Sequence, residues 1–397
     1  MLSFLHRLAV VAILFAARPC RASRPDHSLG PSQYTPRGYV NAAYFINWCQ
    51  TRRNSWFYLL HLNFTADERI GYDEHKRNAY GCVEQLFLLK KSNRHLKTLL
   101  SIGGSGAGSA NFSSAASTPD TRARFASTSV SLMYNWGFDV SLLEAIRIEL
   151  DRYARNYASG HHFLLSIAAA AAPEHYLKLQ LNNMSGKVDQ INLMAYDYSG
   201  KWDYISGHNA NLFPYKRPVT KLNLDYTLNE SFETAINTHY AIRHYLRSGV
   251  RAEKIVLGIP VFGRSFEDNL GLGKTFRSVG EGSWGDPGVW DYKALPKKGA
   301  TIIYDPIAHA SFSYDERRRE LISYDTPSVV EEKAEYVLDY GLGGSMFWEA
   351  SADKQGDGSL IGTSYRALGS LETTQNWLDY TGSYFDNIAT KMGEDYI

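Results

Sequence analysis

The chain has 397 residues, 44% hydrophobic and 21% charged, with 42 Lys and Arg against 41 Asp and Glu. That is long enough and apolar enough to bury a large core, and a net charge of +1 implies neither a nucleic-acid partner nor an acidic substrate. Aromatic residues make up 13% of the chain, and the 27 Tyr suit stacking on sugar rings as well as ordinary packing. At the start, His6 and Arg7 precede an apolar run, Leu8–Ala17, that is too short to span a bilayer, and Cys20-Arg21-Ala22 has the form of a cleavage site. Residues 1–22 are therefore expected to be a secretory signal, and the protein to be extracellular. No later run is long enough for a membrane helix, so no membrane partner is expected. Sequons at Asn63, Asn111, Asn183 and Asn229 fit passage through a secretory pathway. Cleavage would leave Cys49 and Cys82, which could form one disulfide, although their spacing does not show that they meet. The 12 His are scattered, no metal-ligand cluster occurs, and no cofactor is expected.

The first strand signal is Tyr39–Trp48, and a weaker one follows at Trp56–Phe64 after a polar break at Thr51–Asn54. Ala66–Asn78 reads as a loop, Tyr80–Asn93 as a helix and Leu96–Ile102 as a strand ending in Gly103-Gly104. Thr118–Trp136 predicts an amphipathic helix, begun by Thr118-Pro119-Asp120 and stopped by Gly137. A strand should come after Phe138-Asp139, but Val140–Tyr157 is helical at once. The alternation resumes with strands at His162–Ala169 and Gln190–Tyr198, a helix at Phe232–Ser248 and a strand at Lys254–Phe262. Ser265–Thr326 reads as an α+β insertion. A helix at Val329–Tyr340, a strand at Gly344–Glu349, a helix at Leu360–Leu371 and an irregular tail complete the chain. Seven strands in βα rhythm with one vacant slot predict a (β/α)8 TIM barrel lacking strand 4, of class α/β, with a small insertion between strands 7 and 8.

Within Gln190–Tyr198, Ile191, Leu193 and Ala195 alternate with Asn192, Met194 and Tyr196, and Asp197 follows at the C-terminal end. An α/β enzyme keeps its chemistry at such strand ends, although the Asp could equally cap the next loop.

Five motifs in order carry a family resemblance: Tyr44-Phe45-Ile46-Asn47-Trp48, Leu99-Leu100-Ser101-Ile102-Gly103-Gly104, Met194-Ala195-Tyr196-Asp197, Gly258-Ile259-Pro260-Val261-Phe262-Gly263-Arg264-Ser265-Phe266 and Gly343-Gly344-Ser345-Met346-Phe347-Trp348-Glu349. From about Tyr39 onward the chain resembles secreted fungal chitinases of glycoside hydrolase family 18, placing the family domain at residues 38–397 with residues 265–326 as its insertion. The resemblance implies chitin or chitooligosaccharide as partner, a monomer, and hydrolysis of β-1,4 N-acetylglucosamine linkages. It implies that Tyr196 and Asp197 orient the N-acetyl group and that Tyr44, Met194, Arg264 and Trp348 contact the sugar chain, Trp348 as an aromatic floor. The family mechanism is retaining and substrate-assisted: the acetamido oxygen attacks the anomeric carbon while one Glu serves as general acid and then base. That Glu ends a fourth strand in the pattern D-x-x-D-x-D-x-E, whose period-two spacing stacks the carboxylates on one strand face.

Here the chain departs from the family. Asp139 matches the first Asp of the pattern, and the rest, including the general-acid Glu, is absent. Glu144, the next carboxylate, has the wrong spacing and reads as a solvated helix residue, as do Glu149 and Asp151. Ser105 stands where the family has a Trp, and Phe262 where a Tyr is common. Three readings remain open: an active chitinase of which this sequence is an incomplete gene model or splice form, a pseudoenzyme that binds chitooligosaccharide without cleaving it, and a chain whose fold is compromised. For the chain as written, impaired catalysis is expected.

Overall fold

The computed structural model describes residues 9–14, 38–46, 78–102, 113, 115–137, 143–218, 231–233 and 236–393. Asp139, Cys49, Ser105, the expected strand at Trp56–Phe64 and the sequons at Asn63, Asn111 and Asn229 lie outside them. The chain divides into two compact units, one of residues 1–166, 187–189 and 368–397, the other of residues 167–186 and 190–367.

In the first unit, β1 (Ala9–Leu14), β2 (Val40–Ile46) and β3 (Lys97–Ile102) form one group with β1 in the middle. The apolar run of the expected leader is thus a strand, antiparallel to both neighbours, with Val11 opposite Phe45 on one side and Leu100 on the other. Its composition, Ala-Val-Val-Ala-Ile-Leu, is rich in β-branched residues that fit a pleated surface. Helix α1 (Gly81–Ser92) precedes β3, and α2 (Pro119–Trp136) and α3 (Leu143–Tyr157) follow it. Helix α2 begins and ends as its sequence predicts. Thr118 and Thr121 make a reciprocal capping box, and Gly137 closes the helix at φ 69°. A Cβ at Gly137 would lie 2.6 Å from the Phe87 ring, so both backbone and space require glycine there.

The tail of this unit has little regular structure but is tied down. Buried Asn376 donates its amide hydrogens to the carbonyls of Lys90, Asn93 and Leu96, and Lys97 pairs with Glu372. The expected strand at His162–Ala169 is corrected to β4 (Ser166–Ala170). The backbone just before it is held by side chains instead of a ladder: Leu165 N–H donates to Asp189, and the Phe163 carbonyl accepts from Arg147.

In the second unit, β5 (Gln190–Met194) lies next to β4. A short ribbon, β6 (Lys216–Pro218) with β7 (Ser231–Glu233), leads to α4 (Thr238–Arg247). The predicted helix from Phe232 therefore starts late. Phe232 is paired in the ribbon, and the Asn237 side chain caps the helix by accepting the Tyr240 N–H. Strand β8 (Ile255–Pro260) pairs in parallel with β5. β9 (Phe262–Phe266), β10 (Val289–Asp291), β11 (Thr301–Asp305), β12 (Ala310–Asp315) and β13 (Glu320–Ser323) make a separate antiparallel sheet in the order β10-β9-β13-β12-β11. Helix α5 (Pro327–Asp339), β14 (Gly344–Trp348), parallel to β8, and α6 (Leu360–Leu368) follow.

Two further expectations are corrected here. The predicted strand Lys254–Phe262 is two strands, because Val261 N–H still donates to Trp348 of β14 while its carbonyl accepts from Tyr292 N–H beside the other sheet. The α+β insertion contains no α-helix between Phe266 and Pro327. Its non-strand parts are turns and the three-residue 3-10 helices Ser283–Gly285 and Tyr292–Ala294.

Strands β14, β8, β5 and β4 lie side by side in that order, and the parallel β14, β8 and β5 are almost wholly buried. Leu193, Ile255, Leu257, Ile259 and Phe347 are fully buried, and each contributes about 1.5–3 kcal/mol over leaving it in water. Strands β8 and β5 approach so closely that a Cβ on Gly258 would sit 2.2 Å from the Leu193 carbonyl oxygen. Among the described residues no helix is long and apolar enough to cross a membrane, and no group of three His, Cys, Asp or Glu could hold a metal ion.

Candidate functional site at the ends of the parallel strands

Strand register decides which side chains share a face. Met346 pairs with Gly258, Trp348 with Pro260, and Asn192 with Val256. Because side chains alternate along each strand, Met194, Tyr196, Met346 and Trp348 fall on one face of the parallel strands, while Leu193, Leu257 and Phe347 fall on the other. Met194, Tyr196 and Trp348 are only partly covered, whereas the opposite face is closed. The strand expected at Gln190–Tyr198 is corrected to Gln190–Met194, since the Ala195 N–H already turns back onto the Leu193 carbonyl, and Asn192 of the alternating set is buried.

Beyond β5 the chain turns sharply. Asp197 has φ 62°, a left-handed conformation that costs a non-glycine residue roughly 1–2 kcal/mol. Its carboxylate is 41% exposed and receives two N–H groups of Arg264, both on Oδ1, at 2.9 and 2.7 Å. Arg264 is fixed from its own side, since its backbone lies in β9 with β10 on one flank and β13 on the other. The guanidinium lies over the Trp202 ring at 5.0 Å and the Phe262 ring at 5.4 Å, and Phe262 meets Tyr196 edge-on at 5.9 Å. An ion pair this exposed contributes at most about 1 kcal/mol, so its chief effect is to orient the carboxylate.

Trp202 is 52% exposed and is presented by a tight turn in which Asp203 accepts the Ser199 hydroxyl and the Gly200 N–H. A Cβ on Gly200 would stand 2.6 Å from the indole. Beneath the site, Tyr198 is buried with its hydroxyl 3.0 Å from that of Thr238, and burial pushes its phenol far above the usual range. The Trp348–Glu349 peptide is cis, and the Glu349 carboxylate is turned inward to accept the Ser351 N–H and hydroxyl.

The structure thus brings together Tyr196, Asp197 and Arg264, and places Met194 and Trp348 on the Tyr196 face. Tyr44 belongs to the other unit, where it is buried on β2 opposite Ala12. Glu149 and Asp151 are ion-paired along helix α3 with Arg152 and Arg147; the Asp151 side chain is open to solvent, whereas that of Glu149, expected to be solvated, is largely covered. The side chain of Glu144, at the start of that helix, is outside the described residues. Two residues were missed from the sequence. Trp202 carried a signal, an aromatic residue in a polar turn just after the site strand. Asn209, whose side chain accepts the Asp197 N–H, carried none, because its contacts are long-range.

Among known proteins, the family model described as Glycosyl hydrolases family 18 matches residues 40–353. Endochitinase 1 of Metarhizium robertsii is 45% identical over 438 residues, covering 98% of this chain and 99% of that protein. Chitinase 1 of Aphanocladium album is 43% identical over 438 residues, covering 99% of this chain and all of that one. Of the solved structures, a chitinase from Bacillus thuringiensis is similar with a TM-score of 0.63 and 28% identity, covering 73% of this chain and 53% of the other. A family match over most of the sequence, with relatives aligned over almost their full lengths, means that the chain belongs to the glycosyl hydrolases of family 18.

Proposed function

We propose that this protein is a secreted, monomeric member of the family that binds chitin or chitooligosaccharide at the Asp197–Arg264 site and, as written, hydrolyses it poorly. The (β/α)8 barrel with strand 4 missing is part of the same reading. The observation that carries it is the oriented, half-exposed Asp197 carboxylate among the partly open Tyr196, Trp202 and Trp348 rings. A carboxylate oxygen outside the Arg264 contact suits the N–H of an N-acetyl group, and flat rings suit the apolar faces of pyranoses. In substrate-assisted hydrolysis the acetamido oxygen supplies the nucleophile, so the protein must hold that group and protonate the leaving oxygen. This chain has residues for the first task. For the second, Glu149 and Asp151 are ion-paired on a helix.

A specific observation favours the related reading that the gene encodes an active chitinase. The alignment to the Metarhizium robertsii protein runs over 438 residues, longer than the 397 of this chain, so at least 41 aligned positions have no residue here. Titrating the purified chain with an N-acetylglucosamine tetramer, with product analysis, tests the proposal. Saturable binding with slow or no turnover is expected, weakened at least severalfold by Arg264→Ala. Rapid turnover sinks the claim of impairment, and no binding sinks the site. Sequencing transcripts across the codons for Trp136 to Leu143 separates a real loss from an incomplete sequence.

A further inference from the structure

We infer that Asn209 is the positioning residue that sets Asp197 and Arg264 for the sugar, an inference that rests on the binding role proposed for Asp197. Asp197 lies past the end of β5 in a left-handed conformation, where no strand partner is available to its N–H. That N–H donates to Oδ1 of Asn209 at 3.1 Å. The Asn209 carbonyl accepts the next N–H, that of Tyr198, at 3.0 Å. On its other side the Asn209 amide nitrogen donates to the Phe262 carbonyl at 3.3 Å, two residues before Arg264 on the same strand. Its own N–H donates to the Ser323 hydroxyl at 2.9 Å, and Ser323 is the register partner of Arg264 on β13.

One fully buried amide therefore touches the backbone on both sides of the ion pair, and all four of its contacts lie within two residues of Asp197 or Arg264 or on Arg264's strand partner. The arrangement needs an acceptor and a donor on one short side chain. Aspartate offers only acceptors when ionised, and leucine offers neither. With Asn209 in place, the turn that aims the Asp197 carboxylate is tied to the strand that aims the Arg264 guanidinium, and the two cannot drift apart independently.

The test uses the full chain, an N-acetylglucosamine tetramer and five variants: Asn209→Leu, the isosteric Asn209→Asp, Asp197→Ala, and each Asn209 variant combined with Asp197→Ala. Either single Asn209 change is expected to weaken binding roughly tenfold or more, as loss of a buried hydrogen-bonding group would. In the Asp197→Ala background the same changes should weaken residual binding less than twofold. The Asp197 amide should exchange its hydrogen faster in both Asn209 variants. Equal losses of affinity in both backgrounds would mean that Asn209 only supports packing, and would overturn the inference, as would unchanged binding. If Asn209→Leu does not fold, Asn209→Asp carries the same comparison. A wild-type chain that does not bind the tetramer at all overturns the proposed function, and this inference with it. That outcome is told apart by the wild-type titration alone.

Discussion

The two strand groups solve the same problem in different ways. In the second unit β14, β8 and β5 run in one direction, so their C-terminal ends come out together and bring Met194, Tyr196 and Trp348 to one edge. In the first unit β1 runs against both β2 and β3, so its end points the other way and adds nothing to their shared edge. Parallel strands gather side chains from distant parts of the sequence at one place, and an inverted strand fills space without doing so. The lesson is that satisfying a sheet's hydrogen bonds and furnishing its functional edge are separate requirements.

The largest test of that contrast adds a strand of the right direction. Inserting an in-frame segment after Asp139 that completes D-x-x-D-x-D-x-E should raise turnover of chitooligosaccharide by ~10²–10⁴-fold, the range a general acid supplies. Product formation from the tetramer measures it, and an unchanged rate would mean that the defect lies elsewhere. Next in size is the framework. Lys333 is buried with Asp325 at 2.5 Å and also donates to the Ala210 carbonyl, beside Asn209. Lys333→Met should cost about 3–5 kcal/mol in urea unfolding, because it strands a buried carboxylate, and Asp325→Leu in the same chain should recover most of it. The corresponding pair in the first unit, Lys97 with Glu372, is slightly more open, and Lys97→Met should cost less.

A smaller effect is expected from deleting residues 1–22, which removes β1. Amides of β2 and β3 should then exchange faster and the melting temperature should fall by a few degrees, with the amides of β5 and β8 unchanged. Unchanged exchange at β2 and β3 would show that the run serves only as a leader. The smallest effect is at acid pH. His208 donates to Asp305, and that hydrogen bond, with those from the Ala308 and Ile307 N–H groups, lowers the Asp305 carboxyl from 3.8 to about 2. Because the folded value lies below the unfolded one, this stabilisation is complete above about pH 4 and fades as the pH falls towards 2. Asp305→Asn should flatten the stability profile in that window and lower stability at neutral pH, where the carboxylate's contribution in the wild type is complete.

Much of the element order could be read in advance because its signals are local. The alternation in Ile191–Met194 and the stop at Gly137 each act through neighbours in the chain. The misreadings have physical reasons. Phe232 fits a helical pattern, but its backbone is taken by Arg217 across a ribbon, which no local rule reveals. The strand predicted at His162 starts late because Asp189 and Arg147 satisfy the preceding backbone from afar. Ala9–Leu14 satisfies two descriptions at once, since a leader's apolar core and a β-branched-rich strand can share one composition. The motifs named Tyr196, Asp197 and Arg264, which the structure brings together. Asn209 was not named, because its contacts reach 53 residues to Phe262 and 114 to Ser323.

The pairing of Arg264 with Ser323 has one more consequence. The chain leaves the site along β9 and returns beside it along β13, so everything between them is a cassette with adjoining ends. Its length is uncoupled from the position of the guanidinium. Strands β11 and β12 could be lengthened, trimmed or exchanged for another fold, and the same two backbone hydrogen-bonding rows would still aim Arg264 at Asp197. Such a cassette is a natural place for variation among proteins that keep one sugar-holding centre and meet differently shaped surfaces.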